Sequence, residues 1–150
     1  MKKLINVYQS ANNIDVALLI ARVGIATLML THGWPKLEML LSDAPVQFPA
    51  LFGLSATGAL LLAVFAEVVC SLLILVGLGT RLAAIPLIIT MLVAVFLVHG
   101  ADPFAKQEPG LLYLLPYTVL LLTGSGKYSL DYLLLQKVLR STYVRTLSIQ

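Results

Sequence analysis

Two opposite charges stand in stretches that are otherwise hydrocarbon. Glu67 lies inside LLLAVFAEVVCSLLILVGLGTR, residues 60–81, and Arg22 lies inside an apolar run of about 16–33. A charged side chain at the centre of a membrane helix costs roughly 2.5–3.5 kcal/mol on insertion scales. A close pair at an effective dielectric of about 20 regains about 4 kcal/mol. Both residues fall near the middle of their runs, so the sequence predicts an intramembrane pair, Arg22 with Glu67. Small residues support a close approach of the two helices: Ala59, Ala63, Ala66, Cys70 and Ser71 around Glu67, and Ala21, Ala26 and Gly33 around Arg22. Two readings stay open. The pair fixes how two helices pack, or it forms an acid–base or ligand site inside the bundle.

A second set of polar residues gathers at the other ends of the apolar runs. His32 and His99 close the first and third runs, and Lys36, Asp102, Glu108 and Tyr113 fall at about the same level. Helix ends and lipid headgroups are one explanation for such histidines. The other is a polar cluster at the mouth of the bundle that handles protons or the head of a quinone. Two histidines with an Asp and a Glu are also metal-ligand types, but no tight ligand spacing occurs, so no metal is expected. Cys70 is the only cysteine, which excludes an intramolecular disulfide and a Cys-x-x-Cys pair, and it reads as a small packing residue.

The elements that hold these residues follow from composition. Of 150 residues, 59% are hydrophobic and 11% charged, against about 25% charged in a soluble domain. The apolar residues come as runs rather than in alternation. Expected spans are about 14–33, 57–78, 82–100 and 109–124; the first three are near the roughly 20 residues needed to cross a bilayer core, and the fourth is short. The fold class is all-α, an integral membrane four-helix bundle in one domain, residues 1–150. GLGTR between the second and third spans is a tight turn. The connection of about 34–56 is long, with a short interfacial helix expected near Leu37–Leu41. After the fourth span, Gly124 and Gly126 break the helix and Ser129 is a reasonable N-cap. Leu130, Leu133, Leu134 and Val138 then make an apolar stripe, which predicts a C-terminal amphipathic helix over about 129–145 lying on the membrane face. The polar stretch after Lys2 and Lys3 argues against a cleaved signal peptide.

Four spans put both termini on one side. Lys2, Lys3, Arg81, Lys127, Lys137, Arg140 and Arg145 fall on that side, and only Lys36 and Lys106 on the other. Short cation-rich segments stay cytoplasmic, so both termini are expected inside a plasma membrane. The formal charge of +3 is therefore a topology signal. No cluster of cations with aromatics suggests nucleic acid.

In order along the chain, HGWPKL, FPALFGLS, AEVVCSLLILVGLGTRLAA, MLVAVFLVH and GSGKYSLD resemble the DoxX family of small bacterial inner-membrane proteins. GLGTRLAA and GSGKYSLD carry most of the resemblance, which runs from about Asp15 to Asp131. It implies a four-helix membrane protein. The related DoxD branch is a subunit of thiosulfate:quinone oxidoreductase, and other members are linked to oxidative-stress defence with partner enzymes. The polar positions that match are Arg22, His32, Lys36, Glu67, Arg81, His99, Glu108 and Asp131, and the resemblance assigns none of them a catalytic role. One departure is GSG where the family pattern has GPG, which loosens that turn.

Three functions compete. A quinone-linked redox subunit needs a dry pocket with one or two polar groups. No motif for flavin, haem or iron–sulfur binding is present, so electrons would come from a membrane or peripheral redox protein partner, or chemistry would occur directly on the quinone. A scaffold or assembly factor needs only a stable bundle and a docking surface. A proton-coupled transporter would use a mid-membrane Glu, but a cationic partner hinders proton exchange there. In every case the lipid bilayer is the first partner.

Overall fold

The computed structural model describes residues 11–147, and side chains for residues 12–139. Lys2 and Lys3 lie outside the described residues, as do the side chains of Arg140 and Arg145. Five helices follow one another and no strand occurs among the described residues. They are α1 (Ala11–Leu41), α2 (Ala56–Val76), α3 (Thr80–Val98), α4 (Phe104–Thr123) and α5 (Leu130–Leu147). The first three are long and apolar enough to cross a membrane. α4 is not among them: its first turns carry Lys106, Gln107 and Glu108.

α1 corrects the expected first span. It has 31 residues, about 46 Å at roughly 1.5 Å per residue, and it does not stop near Gly33. It continues through Pro35 to Leu41, so the short helix expected near Leu37–Leu41 is the end of α1 itself. A proline removes one backbone donor, which leaves only the Thr31 carbonyl without its helical partner. Packing of Leu37, Met39 and Leu40 against the buried Leu60, Val64 and Val68 holds the extension in place. One face of α1 is buried at coiled-coil spacing: Arg22, Ala26, Met29 and Gly33, with half-buried Lys36 next.

α2 starts at Ser55, whose Oγ accepts from Gly58 N at 3.1 Å. It ends where Gly77 turns left-handed, at φ +73°. There Leu78 N donates to Leu73 O and Gly77 N to Ile74 O, the Schellman arrangement that satisfies the last carbonyls. Three residues later α3 begins, so α2 and α3 are antiparallel neighbours. Both contain a π-helical turn, Phe65–Cys70 at the middle of α2 and Ala94–Val98 at the end of α3 away from this link. α4 packs most extensively on α3, and it starts earlier than the apolar run alone predicts, at Phe104. Contact is closest at Gly110, where a Cβ would lie 2.5 Å from Val95 Cγ2.

The core joins α1 to α4 through Ala26, Met29, Ala66, Cys70, Ile74, Leu87, Met91, Tyr117 and Leu120. Large apolar side chains cover the outside, among them Ile20, Leu82, Leu112 and Leu122. An apolar exterior around a packed interior fits a chain solvated by lipid. In α5 the residues of the expected stripe are exposed, but Leu135 and Leu139 are exposed as well and lie off it. Apolar residues thus cover more than half of that helix's circumference.

Candidate functional site

Glu67 sits within the π-helical turn of α2 and is 1% exposed. A π turn adds a residue to one turn of helix and re-aims the side chains around it. Its carboxylate is not paired with Arg22. Lys36 Nζ, from the extension of α1, bonds Glu67 Oε1. The other oxygen, Oε2, is buried without a hydrogen-bond partner among the described residues.

The register of α1 on α2 explains the correction. A Cβ on Gly33 would meet the Glu67 backbone carbonyl at 3.0 Å, and one on Gly77 would meet Arg22 Nη1 at 1.9 Å. Position 33 is therefore level with 67, and position 22 with 77. Arg22 lies about eleven residues, or about 16 Å, from the level of Glu67. Glu67 belongs with the polar residues near His32 and His99 at the ends of the apolar runs.

Two cavities meet at this ion pair. The first, about 300 Å³, lies between α2 and α3 under the connection of residues 42–55. Its walls include Phe48, Phe52, Leu62, Ala63, Ile89, Val93 and Val98. The second, about 260 Å³, lies between α1, α3 and α4 and includes His32, Met91, Val95, Lys106 and Tyr113. Lys36, Glu67, Ala94 and His99 line both. The structure thus gathers His32, Lys36, Glu67, His99 and Tyr113 around two adjoining cavities. His32 meets Tyr113 edge to face with centroids 5.6 Å apart, and Tyr113 stacks on the buried Tyr117 at 6.2 Å. Asp102 stands behind His99, its Oδ2 2.8 Å from Nδ1. The bond from His99 holds the Asp102 carboxyl below the usual carboxylate range; partial burial opposes this, and the charge of Lys106 adds to it. Glu108 is exposed and lines neither cavity.

Arg22 has a different task. It is 2% exposed, with Nη1 donating to Ser125 O at 3.1 Å and Nη2 to Tyr128 O at 2.6 Å. Around it the two glycine-rich segments of the sequence come together. Asp131 Oδ1 accepts from Gly79 N at 2.9 Å, which caps the start of α3, and Asp131 N donates to Gly77 O at 3.0 Å. Asp15 accepts from the Lys127 backbone and pairs with its ammonium, both at 3.1 Å. Arg81 Nη2 donates to Leu122 O at 3.2 Å. Ser129 caps α5, accepting from Tyr132 N at 3.2 Å. These bonds tie α1, the α2–α3 link and the segment before α5 into one clamp.

Sequence reasoning gave Tyr117 and Gln107 no role, read Ser71 only as a small packing residue and Lys106 only as a topology signal. Ser71 Oγ and Tyr117 Oη are buried and, like Glu67 Oε2, make no hydrogen bond within 3.5 Å among the described residues. Ser71 is four residues after Glu67, one helical turn on the same face, and that spacing was a usable signal. Gln107 Nε2 bonds the carbonyls of His99 at 2.9 Å and Asp102 at 3.1 Å, and no sequence pattern points to it. Chemically, the arrangement offers an ammonium, a buried carboxylate, an imidazole and a phenol beside apolar walls.

The family model described as DoxX matches residues 17–100, from the second turn of α1 to just past the end of α3. No match was found among curated proteins or among solved structures.

Proposed function

Because the chain belongs to the DoxX family, whose model covers more than half of it, we propose that it is a membrane subunit that holds a quinone-class amphiphile at the Lys36–Glu67 pair. One observation carries the reading: a carboxylate buried in the bundle, with one oxygen unpartnered, borders an apolar cavity of about 300 Å³. A purely structural helix pair is served as well by hydrocarbon. A polar group kept beside an apolar cavity is the usual composition of a small-molecule site. The residues fit a quinone: flat apolar walls for a ring and tail, and the Lys36 ammonium as donor to a ring oxygen. When bound, such a molecule would supply two-electron redox chemistry, and the chain's own residues would orient it and handle protons.

In this reading α4 is a fourth span and α5 rests on the inner face of a bacterial plasma membrane, with both termini cytoplasmic. Arg81 and Lys127 then fall on the cation-rich inner side. Electrons arrive from a membrane or peripheral redox protein. Mass spectrometry of lipophilic molecules co-purifying in mild detergent tests the proposal. A quinone near one per chain, depleted in a folded Glu67→Gln variant, is expected. Quinone no more abundant than in bulk lipid from the same membranes, for either protein, would refute it.

A further inference from the structure

The geometry points to a site that prefers the hydroxyl-bearing, reduced form of its ligand, with His99 Nε2 as the hydrogen-bond acceptor. The inference rests on the ligand-site reading above and adds which redox form is held. His99 and Lys36 are two of the four residues that line both cavities. His99 Nδ1 faces Asp102 Oδ2 at 2.8 Å, and Lys106 Nζ lies 3.5 Å from Asp102 Oδ1. A carboxylate held ionised by these partners only accepts, so the ring proton sits on Nδ1. A singly protonated ring then presents Nε2 as an acceptor, and among the described residues the hydrogen bond of this ring is made by Nδ1.

The support behind the imidazole is rigid. Gln107 ties the carbonyls of His99 and Asp102 together, and His99 N closes the π turn of α3 on Ala94 O at 2.9 Å. Lys36 presents the opposite need. Glu67 Oε1 is its one acceptor among the described residues, which leaves two of its three N–H donors for the cavities. The head end therefore asks for one acceptor and one donor. A quinone carbonyl only accepts, so it meets Lys36 and leaves Nε2 unpaired. A hydroquinone or phenol oxygen does both, accepting from the ammonium and donating its O–H hydrogen bond to Nε2.

The test is equilibrium binding of a decyl-tailed benzoquinone and of its hydroquinone, under argon, to the purified full chain in lipid nanodiscs. The wild type is expected to hold the hydroquinone about tenfold more tightly, the value of one hydrogen bond. His99→Phe should lose the preference for the hydroquinone. Asp102→Asn should reverse it, because an amide that donates to Nδ1 moves the ring proton to Nε2. Helical circular dichroism establishes that both variants are folded. Equal affinity for the two forms in the wild type, or a preference unmoved in both variants, overturns the inference and leaves the ligand-site reading standing. Binding of neither form overturns both.

Discussion

Gly33 of α1 lies against the backbone of Glu67 in α2, so close that a Cβ on Gly33 would sit 3.0 Å from the Glu67 carbonyl and 2.8 Å from Val68 Cγ2. This contact sets the register of the first two helices, and the register decides which cation meets Glu67. Gly33→Ala presses a methyl group on backbone, which cannot swing away. The expected loss is about 1–3 kcal/mol, read as a lowered midpoint of denaturing-detergent unfolding in micelles. A more stable variant would mean that the helices have room to part.

The ion pair leads to a sharper expectation. Removing one partner of a buried pair leaves the other unpaired and costs roughly 3–5 kcal/mol. The exposure of Lys36, 30% of its side chain, reduces that, so Lys36→Met is expected to cost about 2 kcal/mol. Adding Glu67→Gln should restore part of the loss, giving a coupling of at least about 1 kcal/mol. Arg22→Ala combined with Glu67→Gln should be additive within about 0.5 kcal/mol, since the two residues share no partner. Unfolding midpoints of the two double-mutant cycles decide between the pairings.

The all-helical fold was legible as sequence. The apolar runs announce long membrane-crossing helices, GLGTR gives a tight turn, and Ser129 caps α5. The register of α1 on α2 was not legible, for a physical reason. A connection of residues 42–55 imposes no alignment, unlike the three-residue link of α2 to α3. Arg22 and Lys36 are fourteen positions apart, close to four helical turns, so they lie within about 40° of each other around α1. Either cation can face α2, and only packing shows which one meets Glu67. Proline usually ends a helix, yet the contacts of Leu37 and Leu40 with α2 outweigh the one backbone bond lost at Pro35.

Gly77 is the position least tolerant of change. Its φ of +73° suits glycine, and a Cβ would lie 1.9 Å from Arg22 Nη1 and 2.6 Å from Ser129 Cβ. The left-handed conformation costs a side chain about 1–2 kcal/mol, and the clash displaces Arg22 from the Ser125 and Tyr128 carbonyls. Gly77→Ala should lose at least about 3 kcal/mol or fail to accumulate in membranes. Gly24→Ala, where a Cβ meets nothing within 4 Å, should be neutral or mildly stabilising. The yield of folded protein and its unfolding midpoint separate the two.

Asp131 works as a cap for a helix it does not belong to. Asp131→Ala strips the acceptor from Gly79 N and removes the carboxylate that receives Ser125 Oγ at 3.3 Å. A loss of about 1–2 kcal/mol is expected, with faster hydrogen exchange at Gly79 and Thr80. Unchanged exchange there would show that the α3 start needs no cap from this residue.

The account stands on the claim that the cavity beside Lys36 and Glu67 holds a lipid-soluble ligand. The direct measurement is photo-cross-linking with a quinone carrying a diazirine on its tail, followed by peptide mapping of the full chain in nanodiscs. Labels on the cavity walls, at Leu62, Ile89, Val93 and the Phe48–Phe52 segment, competed away by unlabelled quinone and reduced by Glu67→Gln, are the outcome the account predicts. Labels spread over outward-facing positions such as Ile20, Leu82 and Leu122, insensitive to competitor and to the variant, would contradict it.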